Sequence, residues 1–158
     1  MNYSIHCIFV LFATLLYSNE CPKNYIQINE NCYFKKHVDV LQDFIDYNEK
    51  LFNIDPNNIG IQEWLNGKLT YLNLSNYEIE IIPDSIGTLT NLINLELENN
   101  NVTFLPESIC ELYPYHTQIN LKNNKLCPPY PYCFEYIGKQ DIALCENYKC
   151  PNGYLNIE

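Results

Sequence analysis

The chain has 158 residues, with 19 acidic side chains against nine basic ones, every one of them lysine, and a net charge of −10. That balance excludes nucleic acid as a partner, because phosphate contacts need concentrated positive charge, and it excludes adsorption to an anionic membrane surface. An apolar fraction of 47% excludes a disordered chain, and eight cysteines point to disulfides in an oxidising compartment.

Residues 5–16 form an apolar run too short to cross a bilayer. It reads as the core of a secretory signal peptide over residues 1–18, cut after Ser18 and taking Cys7 with it. The mature protein is therefore expected to be secreted or extracellular, with no membrane insertion after cleavage. Residues 19–66 read as an N-terminal cap. Tyr25, Ile26 and Ile28 lead into Asn29-Glu30-Asn31, which predicts a hairpin closed by a local Cys21–Cys32 disulfide. Val38, Leu41, Phe44 and Ile45 fall at helical spacing with Asp39, Asp43 and Asp46 opposite, which predicts a helix over 37–48. Asp55-Pro56-Asn57-Asn58 is a turn, and Trp64 with Gly67 marks the seam to the next unit, Trp64 serving as a core anchor.

Residues 67–126 repeat themselves. Leu69, Leu72, Leu74, Ile79, Ile82-Pro83, Ile86 and Leu89 recur 23 residues later as Leu92, Leu95, Leu97, Val102, Leu105-Pro106, Ile109 and Leu112. A third copy starts with Ile119, Leu121, Asn124 and Leu126. In each L-x-L the leucines face inward and the intervening residues outward. Asn100 and Asn124 then turn the chain, their amides able to satisfy buried backbone groups, while Pro83 and Pro106 force an irregular or 3₁₀ return. Tyr77 stands where the first copy lacks that Asn.

This pattern resembles the 23-residue leucine-rich repeats over about residues 60–126. The opening C-P-x-x-Y and the ending L-C-P-P-Y-P-x-C make the whole plan look like small exported leucine-rich-repeat proteins found among microbial sequences. The resemblance implies an α/β fold: a short leucine-rich-repeat solenoid with a parallel concave sheet, an N-terminal helical cap and a disulfide-stapled C-terminal cap over 127–149. Cys110, Cys127, Cys133 and Cys145 allow three pairings. One repeat beyond Cys110 falls beside Cys133, which favours Cys110–Cys133 and leaves Cys127–Cys145. Residues 150–158 begin with Cys150-Pro-Asn-Gly-Tyr154, echoing Cys21-Pro-Lys-Asn-Tyr25, and read as the start of a possible further module in tandem.

No catalytic set emerges. Ser85 and Ser108 lie in Pro-x-Ser-Ile turns without a nucleophile motif, and His37 and His116 stand alone. Glu96 and Glu98 sit at i, i+2, but on an open face they read as solvated acids. The late cysteines are spaced without a zinc knuckle and there is no glycine-rich phosphate loop, so no metal and no cofactor are expected. Asn73 and Asn101 open glycosylation sequons. The candidate ligand-binding set is the outward strand row: Tyr71, Asn73 and Ser75, then Asn94, Glu96 and Glu98, then Gln118, Asn120 and Lys122. By resemblance such a face binds another protein. The alternatives are a structural or adhesive element of a larger surface array, and an inhibitor or recognition domain for a secreted enzyme or polysaccharide.

Overall fold

The computed structural model describes residues 20–143 and 145. The signal peptide expected over 1–18 and the further module expected from Cys150 lie outside the described residues.

The first strands, β1 (Tyr25–Ile28) and β2 (Asn31–Phe34), form an antiparallel hairpin. Asn29 takes the left-handed conformation that the tight turn demands (φ 56°), and the Cys21–Cys32 disulfide closes the base. Helix α1 spans Lys35–Tyr47, starting two residues before the expected point. Its apolar face buries Val38, Val40, Leu41, Phe44 and Ile45, with His37 among them. The exposed Lys35–Asp39 pair on the opposite side contributes little in water.

Four strands make the second sheet: β3 (Ile61–Leu65), β4 (Lys68–Asn73), β5 (Asn94–Glu96) and β6 (Gln118–Asn120), in that order across it. Strands β4, β5 and β6 run parallel, but β3 pairs antiparallel with β4. The wholly parallel concave sheet of a leucine-rich-repeat solenoid, expected from the sequence, is thus corrected. The described residues form a small α/β fold with one two-stranded sheet and one mixed four-stranded sheet. The cause is local. Asn66 and Gly67 both have positive φ (51° and 73°), the two-residue turn that matches strand twist, so the chain doubles back where the sequence suggested only a seam. Gly67 is required a second time. A Cβ there would lie 2.2 Å from the Cys32 carbonyl oxygen, and the Gly67 carbonyl accepts the Phe34 N–H at 2.7 Å, joining the two sheets.

Between the parallel strands the chain returns through 3₁₀ segments at Asp84–Thr88 and Glu107–Tyr115, each begun by a proline whose ring fixes φ near −66°. The leucines and isoleucines of the 23-residue pattern point into one core together with Phe44, Leu51 and Ile59. Backbone groups that this burial would strand are clasped by amide side chains. Asn100 bonds across to Tyr77, Ile79 and Leu74, and Asn124 to Val102 and Leu97. Beyond β6, Cys110–Cys133 and Cys127–Cys145 staple the last segment down, the pairs expected from the spacing. Three disulfides among the described residues of so small a domain fit an oxidising environment.

Candidate functional site

Strand alternation puts the candidate residues on the sheet face opposite the core. Tyr71, Asn94 and Gln118 form one register row, and Asn73, Glu96 and Asn120 the next but one, with inward Leu72, Leu95 and Ile119 between them. Ser75, Glu98 and Lys122 extend the face past the strand ends. There the pairing continues through Asn76 N–H to the Glu98 carbonyl (3.1 Å) and Asn99 N–H to the Lys122 carbonyl (3.0 Å).

The face is internally ordered. Asn120 Nδ2 donates to Glu96 Oε2 at 2.8 Å and to Glu98 Oε2 at 3.1 Å, while Asn123 Nδ2 reaches Glu98 Oε1 at 3.3 Å. Asn73 Nδ2 donates to the Tyr71 hydroxyl, and its Oδ1 accepts the Ser75 N–H. Neutral amides orient both carboxylates without neutralising them. The ion pairs among the described residues are Lys35–Asp39 and Lys50–Glu78, both elsewhere, so Lys122 shares the face without pairing. The result is a fixed array of charged and neutral hydrogen-bonding groups.

Sequence reasoning missed the contribution of β3. Glu63 lies opposite Tyr71 and Ile61 opposite Asn73, so both join the face, and Ile61 and Leu65 are each more than 60% exposed. The signal was present in the Asn66-Gly67 pair, the two-residue hairpin turn, although Ile61-Gln62-Glu63-Trp64-Leu65 before it does not alternate apolar with polar. On the inward side Gln62 Nε2 donates to the Pro56 and Ile59 carbonyls, and Trp64 Nε1 donates to Gln62 Oε1. Trp64 also meets Tyr33 edge-on with centroids 4.8 Å apart, linking the two sheets.

The remaining polar candidates are dispersed. The Ser85 hydroxyl donates to Asp43 on α1. His116 is exposed, with a positive φ of 59°, at the end of the second 3₁₀ segment. His37 is fully buried, and its Nδ1 accepts the Leu69 N–H at 3.0 Å, pinning α1 to β4. Burial, and then the neighbouring Lys68 charge, lower its pKa from 6.5 to about 4. Because the unfolded chain holds that proton more readily, the contribution is complete above pH 6.5 and is lost as pH falls towards 4. The unfolding free energy from urea titration should therefore fall by about 1–2 kcal/mol between pH 7 and 5, after allowance for solvent screening. His37→Gln should flatten that slope, and an unchanged slope would remove His37 as its source.

No protein-family model matches the chain, and no curated protein compared with it matches either.

Proposed function

We propose that this chain is a secreted protein-binding module whose working surface is the outward face of the four-stranded sheet. The observation that carries this reading is the order of the face. Three parallel strands are held in register, Asn120 ties Glu96 and Glu98 together, and Asn73 is bonded to Tyr71 and Ser75 within its own segment, so a partner meets a surface whose rotamer entropy is already largely spent. Ile61 and Leu65 add exposed apolar area at the β3 side, the combination of apolar contact and polar hydrogen bonding that protein interfaces use.

Glu96→Gln combined with Glu98→Gln keeps acceptors for Asn120 while removing two charges. The double variant is expected to stay within about 0.5 kcal/mol of the parent in stability, because both half-buried side chains keep their shape and their acceptor oxygens for Asn120. It should also lose the partner that the parent chain captures from extracellular material. A Glu107→Gln control in the 3₁₀ segment behind the sheet should retain it. Equal capture by both variants would move the binding surface off this face.

A further inference from the structure

On the other side of β6 from Gln118 and Asn120 an open cavity of about 260 Å³ lies between the Glu107–Tyr115 segment and the stapled C-terminal stretch. Three aromatic rings line it: Tyr113 from the 3₁₀ segment, and Phe134 and Tyr136 from the stretch after Cys133. Glu135 completes the rim. The Cys110–Cys133 disulfide ties the two walls together. From these features we infer that the cavity binds a quaternary or alkylated ammonium group, held by the three rings and the Glu135 carboxylate.

Four observations support that class of ligand. Tyr113 and Tyr136 are 58% and 81% exposed, so the tyrosines are offered to solvent and are not spent on the core. The ring–ring contacts among the described residues are Tyr25–Phe34, Tyr33–Trp64 and Phe34–His37, so the three cavity rings do not stack on one another. The single cation–ring contact among those residues is Lys68 on Phe34, so no described lysine occupies these faces. Glu135 has no ion-pair partner among the described residues. Open aromatic faces attract a weakly hydrated cation through their negative quadrupole, and an adjacent carboxylate adds direct attraction. A net charge of −10 draws such a ligand in. A sugar is the competing occupant of an aromatic cavity, but it needs several donors and acceptors for its hydroxyls. Thr117 already donates to the Leu92 carbonyl at 2.7 Å, which leaves the Glu135 carboxylate and the Tyr113 and Tyr136 hydroxyls as the polar side-chain groups here.

The site is independent of the sheet face, because Thr117 and Ile119 line it while the alternating Gln118 and Asn120 point the other way. The test titrates the full chain with choline and with its neutral isostere 3,3-dimethyl-1-butanol, following the tyrosine ring resonances. Choline should saturate, and the isostere should bind about tenfold more weakly, since it lacks only the charge. Tyr136→Leu and Glu135→Gln should each weaken choline about threefold, while Tyr136→Phe, which keeps the ring, should restore it. Tyr132→Leu, outside the cavity, should change nothing and controls for folding. Co-sedimentation with phosphatidylcholine vesicles that depends on Tyr136 would assign the headgroup as the source, and binding of free choline alone would assign a soluble one. Equal binding of choline and the isostere, saturation by methyl glucoside in place of choline, or no saturation by choline would each overturn the inference.

Discussion

Asn100→Ala should lower the unfolding free energy by about 4 kcal/mol, the largest effect expected from one substitution in this chain. The side chain is buried, and every polar atom in it is used. Oδ1 accepts the Tyr77 N–H at 3.0 Å and the Ile79 N–H at 2.9 Å, while Nδ2 donates to the Leu74 carbonyl at 2.8 Å and the Leu97 carbonyl at 2.9 Å. Alanine strands three main-chain groups, the Tyr77 and Ile79 N–H and the Leu74 carbonyl, while the Leu97 carbonyl keeps its bond from Asn124 Nδ2 at 2.8 Å. Each buried orphan costs about 1–3 kcal/mol, reduced where water can enter. Asn100→Asp separates the two halves of the clasp. It keeps the acceptor but sets a carboxylate against two carbonyl oxygens, so it should be no better than alanine. Urea unfolding at pH 7 measures all three proteins. A loss below about 1 kcal/mol for alanine would mean that water replaces the amide at this site.

That clasp shows which parts of the fold were legible. Asn100 and Asn124 stand out because they recur after L-x-L, and the buried leucines stand out through their spacing. Two further amides do the same work without any repeat to mark them. Asn48, at the end of α1, accepts the Glu80 and Ile81 N–H groups and donates to the Phe44 and Ile81 carbonyls. Gln140 donates to the Leu121 and Ile137 carbonyls and accepts the Leu126 N–H. These residues act at the two seams, where α1 and the stapled stretch meet the sheet. Their partners are 19 or more residues away in most of these bonds, and no local pattern encodes such a meeting.

The sheet itself was misread for a related reason. Periodicity reports which residues are buried, and it did so for β4, β5 and β6. It says nothing about strand direction, which is decided by the connection. A two-residue Asn66-Gly67 turn admits only an antiparallel neighbour, and that local chemistry outweighs the parallel pattern downstream. The same misreading hid part of the candidate face. Once 61–65 was taken for a seam, Ile61, Glu63 and Leu65 had no face to belong to. The nine outward residues followed directly from alternation, whereas the aromatic cavity behind β6 did not. Tyr113 is separated from Phe134 and Tyr136 by more than 20 residues, and only the disulfide-joined walls bring them to one opening.

Removing that staple is the second large effect. Cys110→Ala with Cys133→Ala should cost about 3 kcal/mol, the loop-closure value for a bridge of this span. The disulfide closes a separation of 23 residues, against 11 for Cys21–Cys32, so the chain-entropy account ranks it above the N-terminal bridge. Position adds to length. Cys110 is buried in the core beside Ile109 and Leu112, so truncation also removes packed sulfur. On the other side Cys133 precedes Phe134 and Tyr136, and freeing it lets one wall of the aromatic cavity move away from Tyr113. The double variant should therefore lose choline binding at a temperature where circular dichroism still reports a folded sheet. The Cys21→Ala, Cys32→Ala protein should lose less stability and keep the cavity intact. Equal destabilisation by the two pairs would show that loop length does not control the contribution. Unchanged choline binding in the Cys110→Ala, Cys133→Ala protein would show that the rings are positioned by packing around Ile119 and Ile137, without need of the bridge.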